Sequence, residues 1–497
     1  MESRLERFRE LIKEKKLLDS TLAILHWDLE TEAPKAGQEL LSQMIGNISL
    51  KSYEISTSPE LIEIVEFLRE MKNELTPVEK KEIEDFYEEM DKLRKIPAED
   101  YKAYTELTAK AQGIWAEAKD KNDYKIFENY LEQIFDYNRI FANYREPEKD
   151  PYDVILNDYE KGMNVEKLDE FFRELRREIV PLLEKIKMKK INNEDYIEGK
   201  VKKCNQIVFS KYLGEYLGFD FNRGIISQSE HPFTLTVNRD DVRITTKYIE
   251  ELPLSSIFST IHECGHGIYE QGIGEELKDT LLADGASMGI HESQSRFYEN
   301  VLGRSMEFWQ PIYKNLQEKY EYLKNVTLDE FYKGINSVRP SLIRVEADEL
   351  TYSLHIMIRY EIEKGILNGK YKISQLPEIW NEKMKEYLGV EPKNDSEGVL
   401  QDVHWSCGLI GYFPSYALGN VYSIQIYNKM KEEMNIKKLL EDKKLDKIKE
   451  WLRNNIHKYG KMKTPKELIE DITGEGLNAK GYIEYLKEKY SKIYNLN

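Results

Sequence analysis

Leu254-Ser255-Ser256-Ile257-Phe258-Ser259-Thr260-Ile261-His262-Glu263-Cys264-Gly265-His266 is the stretch on which the reading of this chain turns. Leu254, Ile257, Phe258 and Ile261 recur at the spacing of a buried helical stripe, so the two histidines continue one helix. Residues four apart lie about 40° apart around such a helix. Both imidazoles can therefore reach a single cation, as the pattern H-E-x-x-H requires. Glu263 points to a different side, where it can meet a metal-bound water without becoming a ligand.

The sequence on either side also reads mostly as helix. Ser3 to Lys16 places Leu5, Phe8, Leu11 and Ile12 on one face. Capping boxes mark three helix starts, Thr76-Pro77-Val78-Glu79, Thr327-Leu328-Asp329-Glu330 and Thr464-Pro465-Lys466-Glu467. In each, hydroxyl and carboxylate can satisfy amides left open at the helix start, and two carry proline at the first helical position. One stretch differs. Phe233 to Val237 alternates apolar and polar residues, Asn238 to Asp241 reads as a turn, and Val242 to Thr246 resumes with β-branched residues, which predicts a hairpin. No linker composition or fixed-period repeat divides the 497 residues. The expectation is a single large domain over 1–497, mainly α, with a small β-sheet beside the metal helix. A deep groove is expected between two lobes, an N-terminal helical lobe at about 1–200 and a metal-binding and C-terminal helical part at about 201–497.

Composition narrows the partners. The net charge is −17, from 73 basic and 90 acidic residues, with no basic tract. That argues against nucleic acid and anionic membrane as partners. No apolar run reaches the ~18 to 20 residues of a membrane-spanning helix, and Met1 to Arg7 opens a charged amphipathic helix instead of a secretory signal. Cys204, Cys264 and Cys407 are too few and scattered for a disulfide framework or thiolate zinc cluster, so a cytoplasmic location is expected. Cys264 is expected to face the core, and Lys429 to Lys458 to form a solvated pair of charged helices.

A catalytic metal needs a third protein ligand and an open fourth position. The metzincin continuation would put Gly and His three and six places after His266, where Tyr269 and Gly272 stand. A glutamate from a following helix is the other solution. Glu292 in His291-Glu292-Ser293-Gln294-Ser295-Arg296 is the candidate, with His291 as its competitor.

The chain resembles the thermostable (Taq-type) metallocarboxypeptidases, and the resemblance covers nearly all of it. Besides the two metal motifs, His231-Pro232-Phe233 is similar to the family's H-P-F and Asp241-Val242-Arg243-Ile244-Thr245 to D-x-R-x-T. Ile343 to Asp348 fits I-R-x-x-A-D, Gly398 to Trp405 fits G-x-x-Q-D-x-H-W, and Trp27 to Thr31 fits W-D-x-E-T. The resemblance implies that His262, His266 and Glu292 hold one divalent metal, with Glu263 as catalytic base, and it implies zinc or cobalt without choosing between them; zinc is the first expectation here and cobalt the second. It also implies release of single residues from peptides with a free C-terminus, with broad preference, and a homodimer. An oligopeptidase or dipeptidyl carboxypeptidase on the same scaffold is the enzymatic alternative, and a non-catalytic helical peptide-binding protein the alternative of another class.

Three further roles need residues. His404 and Tyr412, with Tyr416 after them, are candidate donors to the oxyanion, since helical zinc peptidases of the angiotensin-converting type look similar there. A terminal carboxylate is best met by a guanidinium fork. Arg344, expected on a helix with Ala347 and Asp348, is the first choice and Arg243 on the hairpin the second. The hairpin edge could pair with extended substrate, with His231 either near the substrate carbonyl or only shaping the turn before Pro232.

Overall fold

The computed structural model describes residues 1–189 and 198–496. Helices from Glu2–Thr31 to Lys480–Tyr494 make up most of these residues, and three strands are found among them. All three threonine capping boxes form: each hydroxyl accepts from the amide three residues on, and each glutamate carboxylate accepts from the threonine's own amide. The stripe Leu5, Phe8, Leu11 and Ile12 packs with Leu61 and Val65 into a small core of its own. The main core runs from Leu107 to Tyr494 and takes in Ile257, Ile261 and Cys264 of the helix Pro253–Gly272. Cys264 thus faces the core, and burial raises its thiol pKa.

The predicted hairpin is present as part of a larger sheet. Strands β1 (Gly224–Gln228), β2 (Thr234–Asn238) and β3 (Asp241–Thr246) lie in the order β1-β3-β2. β2 runs antiparallel to β3, with Thr234 opposite Ile244 and Leu235 opposite Arg243, whereas β1 runs parallel to β3. β1 went unforeseen because Gly224-Ile225-Ile226-Ser227-Gln228 has no alternation to betray it. Ile244 is buried against the helix Pro253–Gly272 at Gly267. The N-terminal helix lies over β2: Ser20 donates to the Val237 carbonyl at 2.9 Å, and Trp27 meets Phe233 edge-on at 5.7 Å.

Two local expectations are corrected. Arg344 is not on an α-helix but in the short 3-10 turn Arg344–Glu346. The following helix, Glu349–Leu367, starts later because the Asp348 side chain caps the amides of Leu350 and Thr351. Lys429 to Lys458 is no solvated helix pair either. It holds the end of the helix Pro414–Glu433, then Ile436–Glu441 and Leu445–Asn455, whose inner faces bury Ile436, Leu440, Ile448 and Leu452. Their lysines and glutamates are the outer face of amphipathic helices. Just beyond, His457 is fully buried, its Nε2 donating to Gln294 Oε1 at 3.0 Å and its ring 5.1 Å from that of Tyr269.

Two glycines set how closely the site's helices approach. A Cβ on Gly265 would stand 2.6 Å from the Ser295 Cα, so the helices Pro253–Gly272 and Met288–Arg296 meet backbone to backbone. A Cβ on Gly419 would stand 2.5 Å from Glu292 Cγ. Gly265→Ala gains about 1 kcal/mol in helix propensity but forces a backbone apart, an overpacking cost of ~1 to 3 kcal/mol or more. The expected result is a net loss of stability in chemical denaturation together with lowered metal content in the purified protein.

Candidate metal centre

The helix Pro253–Gly272 presents His262 and His266, and the helix Met288–Arg296 crosses it to present Glu292. Glu292 Oε2 lies 3.5 Å from His262 Nε2 and 3.6 Å from His266 Nε2. One donor atom from each of the three lies within 4.8 Å of the others. Two imidazole nitrogens and a carboxylate oxygen are a donor set that suits a borderline divalent ion.

The outer nitrogens of both imidazoles are engaged. His262 Nδ1 donates to Glu299 Oε2 at 2.9 Å. His266 Nδ1 is 2.5 Å from His291 Nδ1, and His291 Nε2 is 2.8 Å from Glu270 Oε1. Both metal-motif histidines thus turn Nε2 inward with Nδ1 held from outside, and His291 has both ring nitrogens engaged, one with His266 and one with Glu270.

The carboxylates are stabilised as anions. Arg296 donates to Glu292 Oε1 at 2.6 Å and to Glu299 Oε2 at 3.2 Å. Burial pushes the Glu292 carboxyl up, but Arg296, His262 and His266 outweigh it and hold it far below its ordinary range. The same contest leaves Glu299 at about 2, with Arg296 and His262 prevailing over burial. Glu263 goes the other way. Burial raises its carboxyl pKa against the opposing influence of His262 and a hydrogen bond from Thr234. Thr234 donates to Glu263 Oε2 at 2.7 Å.

The downstream candidates form an aromatic cluster. His404 Nε2 is 3.1 Å from the Tyr416 hydroxyl, and the Tyr412 ring lies 5.5 Å from His404 and 5.2 Å from Tyr416. Burial lowers His404 to about 4, so it is neutral near pH 7. Burial and then the charge of Glu292 push Tyr412 up to about 12, so it keeps its proton. Arg344 is buried, giving Nε to Asp402 Oδ1 at 2.9 Å and Nη1 to the Tyr352 hydroxyl at 3.0 Å. Arg296 stacks 4.2 Å over the Tyr352 ring, which ties Arg344 to the metal-side group.

His231 and Arg243 stand apart from that network. His231 is exposed in the bend before β2, and Arg243 makes a two-point pair with Asp241 at 2.8 Å beside Trp27. Sequence reasoning missed Thr234, Glu270, Arg296, Glu299 and Arg359, the last a fully buried partner of Asp402 Oδ2 at 2.7 Å. Glu299 lies seven residues after Glu292, two turns on, but 90 acidic residues hide such a spacing. Asp402 and Arg296 lie inside the stretches Gly398 to Trp405 and His291 to Arg296, but nothing in their spacing names their partners.

Comparison with known proteins gives the family. A family model described as carboxypeptidase Taq (M32) metallopeptidase matches residues 7–490. Carboxypeptidase 1 of Bacillus subtilis is 45% identical over 495 residues, 99% of each chain. Thermostable carboxypeptidase 1 of Pyrococcus furiosus is 37% identical over 481 residues, 94% of each. The crystal structure of an M32 carboxypeptidase from Deinococcus radiodurans superposes with a TM-score of 0.97 at 32% identity, covering 99% of this chain and 100% of that one.

Removing the carboxylate behind His262 tests how the metal-side residues cooperate. Glu299→Gln is expected to weaken metal affinity roughly 10- to 100-fold, as loss of such an outer partner generally does. Glu292→Ala is expected to weaken it further, and His291→Ala less. Competition against a chromogenic chelator reads all three.

Proposed function

The chain belongs to the Taq-type (M32) metallocarboxypeptidases, and from that membership we propose how its own residues divide the work. His262, His266 and Glu292 hold one divalent metal, zinc in the first place and cobalt in the second. The reaction is release of single residues from peptides with a free C-terminus, with broad side-chain preference. What carries the reading is the convergence of those three donor atoms within 4.8 Å, beside a buried carboxyl whose pKa is raised.

A divalent metal bound there supplies a Lewis acid and a water whose pKa falls towards ~7. The rest falls to the protein. Glu263, with a raised carboxyl pKa and Oε1 free of any hydrogen bond among the described residues, takes a proton and delivers it to the departing amine. Tyr412 and His404, both neutral, donate to the developing oxyanion, His404 through the Nε2 that the Tyr416 hydroxyl meets at 3.1 Å. Arg344 keeps Nη2 without a hydrogen-bond partner among the described residues, although Asp402 and Tyr352 hold the other two nitrogens. It therefore retains a donor for the terminal carboxylate. Arg243, spent on Asp241 through two nitrogens, ranks second, and His231 lies at the entry to β2. Family membership also supports a homodimer working in the cytoplasm, the first of which light scattering after gel filtration reads.

Glu263→Gln should keep the metal and the fold and lose turnover by about 10²- to 10⁴-fold; unchanged hydrolysis would remove it as the base. Mass spectrometry of a digested peptide should show a ladder shortened one residue at a time, and the C-terminally amidated peptide should stay intact. Pairs of residues released together, or cleavage of the amide, would favour the oligopeptidase. Chelation should abolish the ladder, and zinc should restore it.

A further inference from the structure

Thr234 is the sole protein hydrogen-bond partner of the Glu263 side chain among the described residues. Its hydroxyl is 2.7 Å from Glu263 Oε2 and 3.3 Å from the Glu263 carbonyl, so its one proton goes to the carboxylate. We infer that Thr234 is a positioning residue for the reaction, fixing the plane of the Glu263 carboxylate so that Oε1 alone exchanges the proton. The inference rests on the reading of Glu263 as the proton carrier.

The physical need is specific. The terminal torsion of a glutamate is broad and nearly two-fold, so a carboxylate with no partner samples both oxygens and a range of planes. Proton transfer depends on hydrogen-bond reach and alignment. Glu263 is buried, and solvent does little to orient it. One donor on one oxygen removes the ambiguity. A β-branched residue on a strand is well suited to give it, because its own χ1 is restricted.

The strand adds a second link. The Thr245 amide donates to the Phe233 carbonyl at 2.9 Å and the Phe233 amide to Thr245 Oγ1 at 2.9 Å, so 233 and 245 turn their main-chain groups towards each other. In an antiparallel ladder the next pair, Thr234 opposite Ile244, is not hydrogen-bonded, so the Thr234 amide and carbonyl point away from β3. β2 is an edge strand of the sheet. Thr234 therefore offers main-chain groups along the edge while its hydroxyl holds Glu263. A peptide pairing with that edge would be registered against the same residue that orients the carboxylate.

Thr234→Val keeps volume and strand preference and deletes only the donor, whereas Thr234→Ser keeps the hydroxyl. In Thr234→Val, kcat should fall roughly 10- to 100-fold, a part of what a positioned acid or base supplies. KM should stay within about 2-fold, and metal content and melting temperature should match the parent. Thr234→Ser should recover most of the rate. In the Glu263→Gln background, Thr234→Val should cost nothing further, since the two act as one unit. A fully active Thr234→Val beside an inactive Glu263→Gln would overturn the inference and leave the base reading standing. Loss of rate with parallel loss of metal, or without rescue by serine, would overturn it as well. An active Glu263→Gln would instead bring down the base reading itself.

Discussion

Arg296 lies between two buried glutamates, and most of the site is arranged around it. Glu292 and Glu299 are both almost out of contact with water, and without a cation between them one would take up a proton. Arg296 reaches both, supported by Arg304, which bonds the other oxygen of Glu299 at 3.2 Å. Burying charge this way costs desolvation, and the return is geometric. Glu292 turns Oε2 towards His262 and His266, and Glu299 holds His262 and Arg296 together on its own Oε2. Through Tyr352 the same guanidinium touches the group that holds Arg344, so the metal side and the proposed carboxylate side share a single cationic hinge.

The backbone cooperates in an unusual way. After Met288–Arg296 the chain does not continue as a regular helix but widens into a π-helical stretch, Phe297–Leu302, that contains Glu299. Such turns recur at functional sites because one extra residue per turn re-aims the side chains that follow. Here the re-aimed side chain meets His262. The close helix crossing at Gly265 and the bare face of Gly419 leave Glu292 no other place to go.

The parts legible in sequence were those with a local signature. Helix starts were readable because a threonine and a glutamate three residues apart solve a local hydrogen-bonding problem. The hairpin was readable from its alternation, and the metal helix from its stripe and its two histidines. What stayed hidden depends on neighbours remote in the chain. Thr234 is one of many threonines until a helix 29 residues later brings Glu263 against it. Arg344 could be placed in a motif but not in its turn, since the Asp348 cap decides where the helix begins. The charged stretch after Lys429 was misread because its composition is that of a solvated helix while its spacing is that of a packed one.

His457 carries a consequence for how this protein is made. It leans on Gln294 across 163 residues of chain and fills the space left by Gly272 at the end of the helix that bears both histidines. Those two helices therefore lack this particular contact until the chain has been made as far as His457. Contacts so distant form late, after loop closure has been overcome. The crossing of the helices Pro253–Gly272 and Met288–Arg296 is thus expected to gain its buffer at His457 among the later tertiary contacts to form.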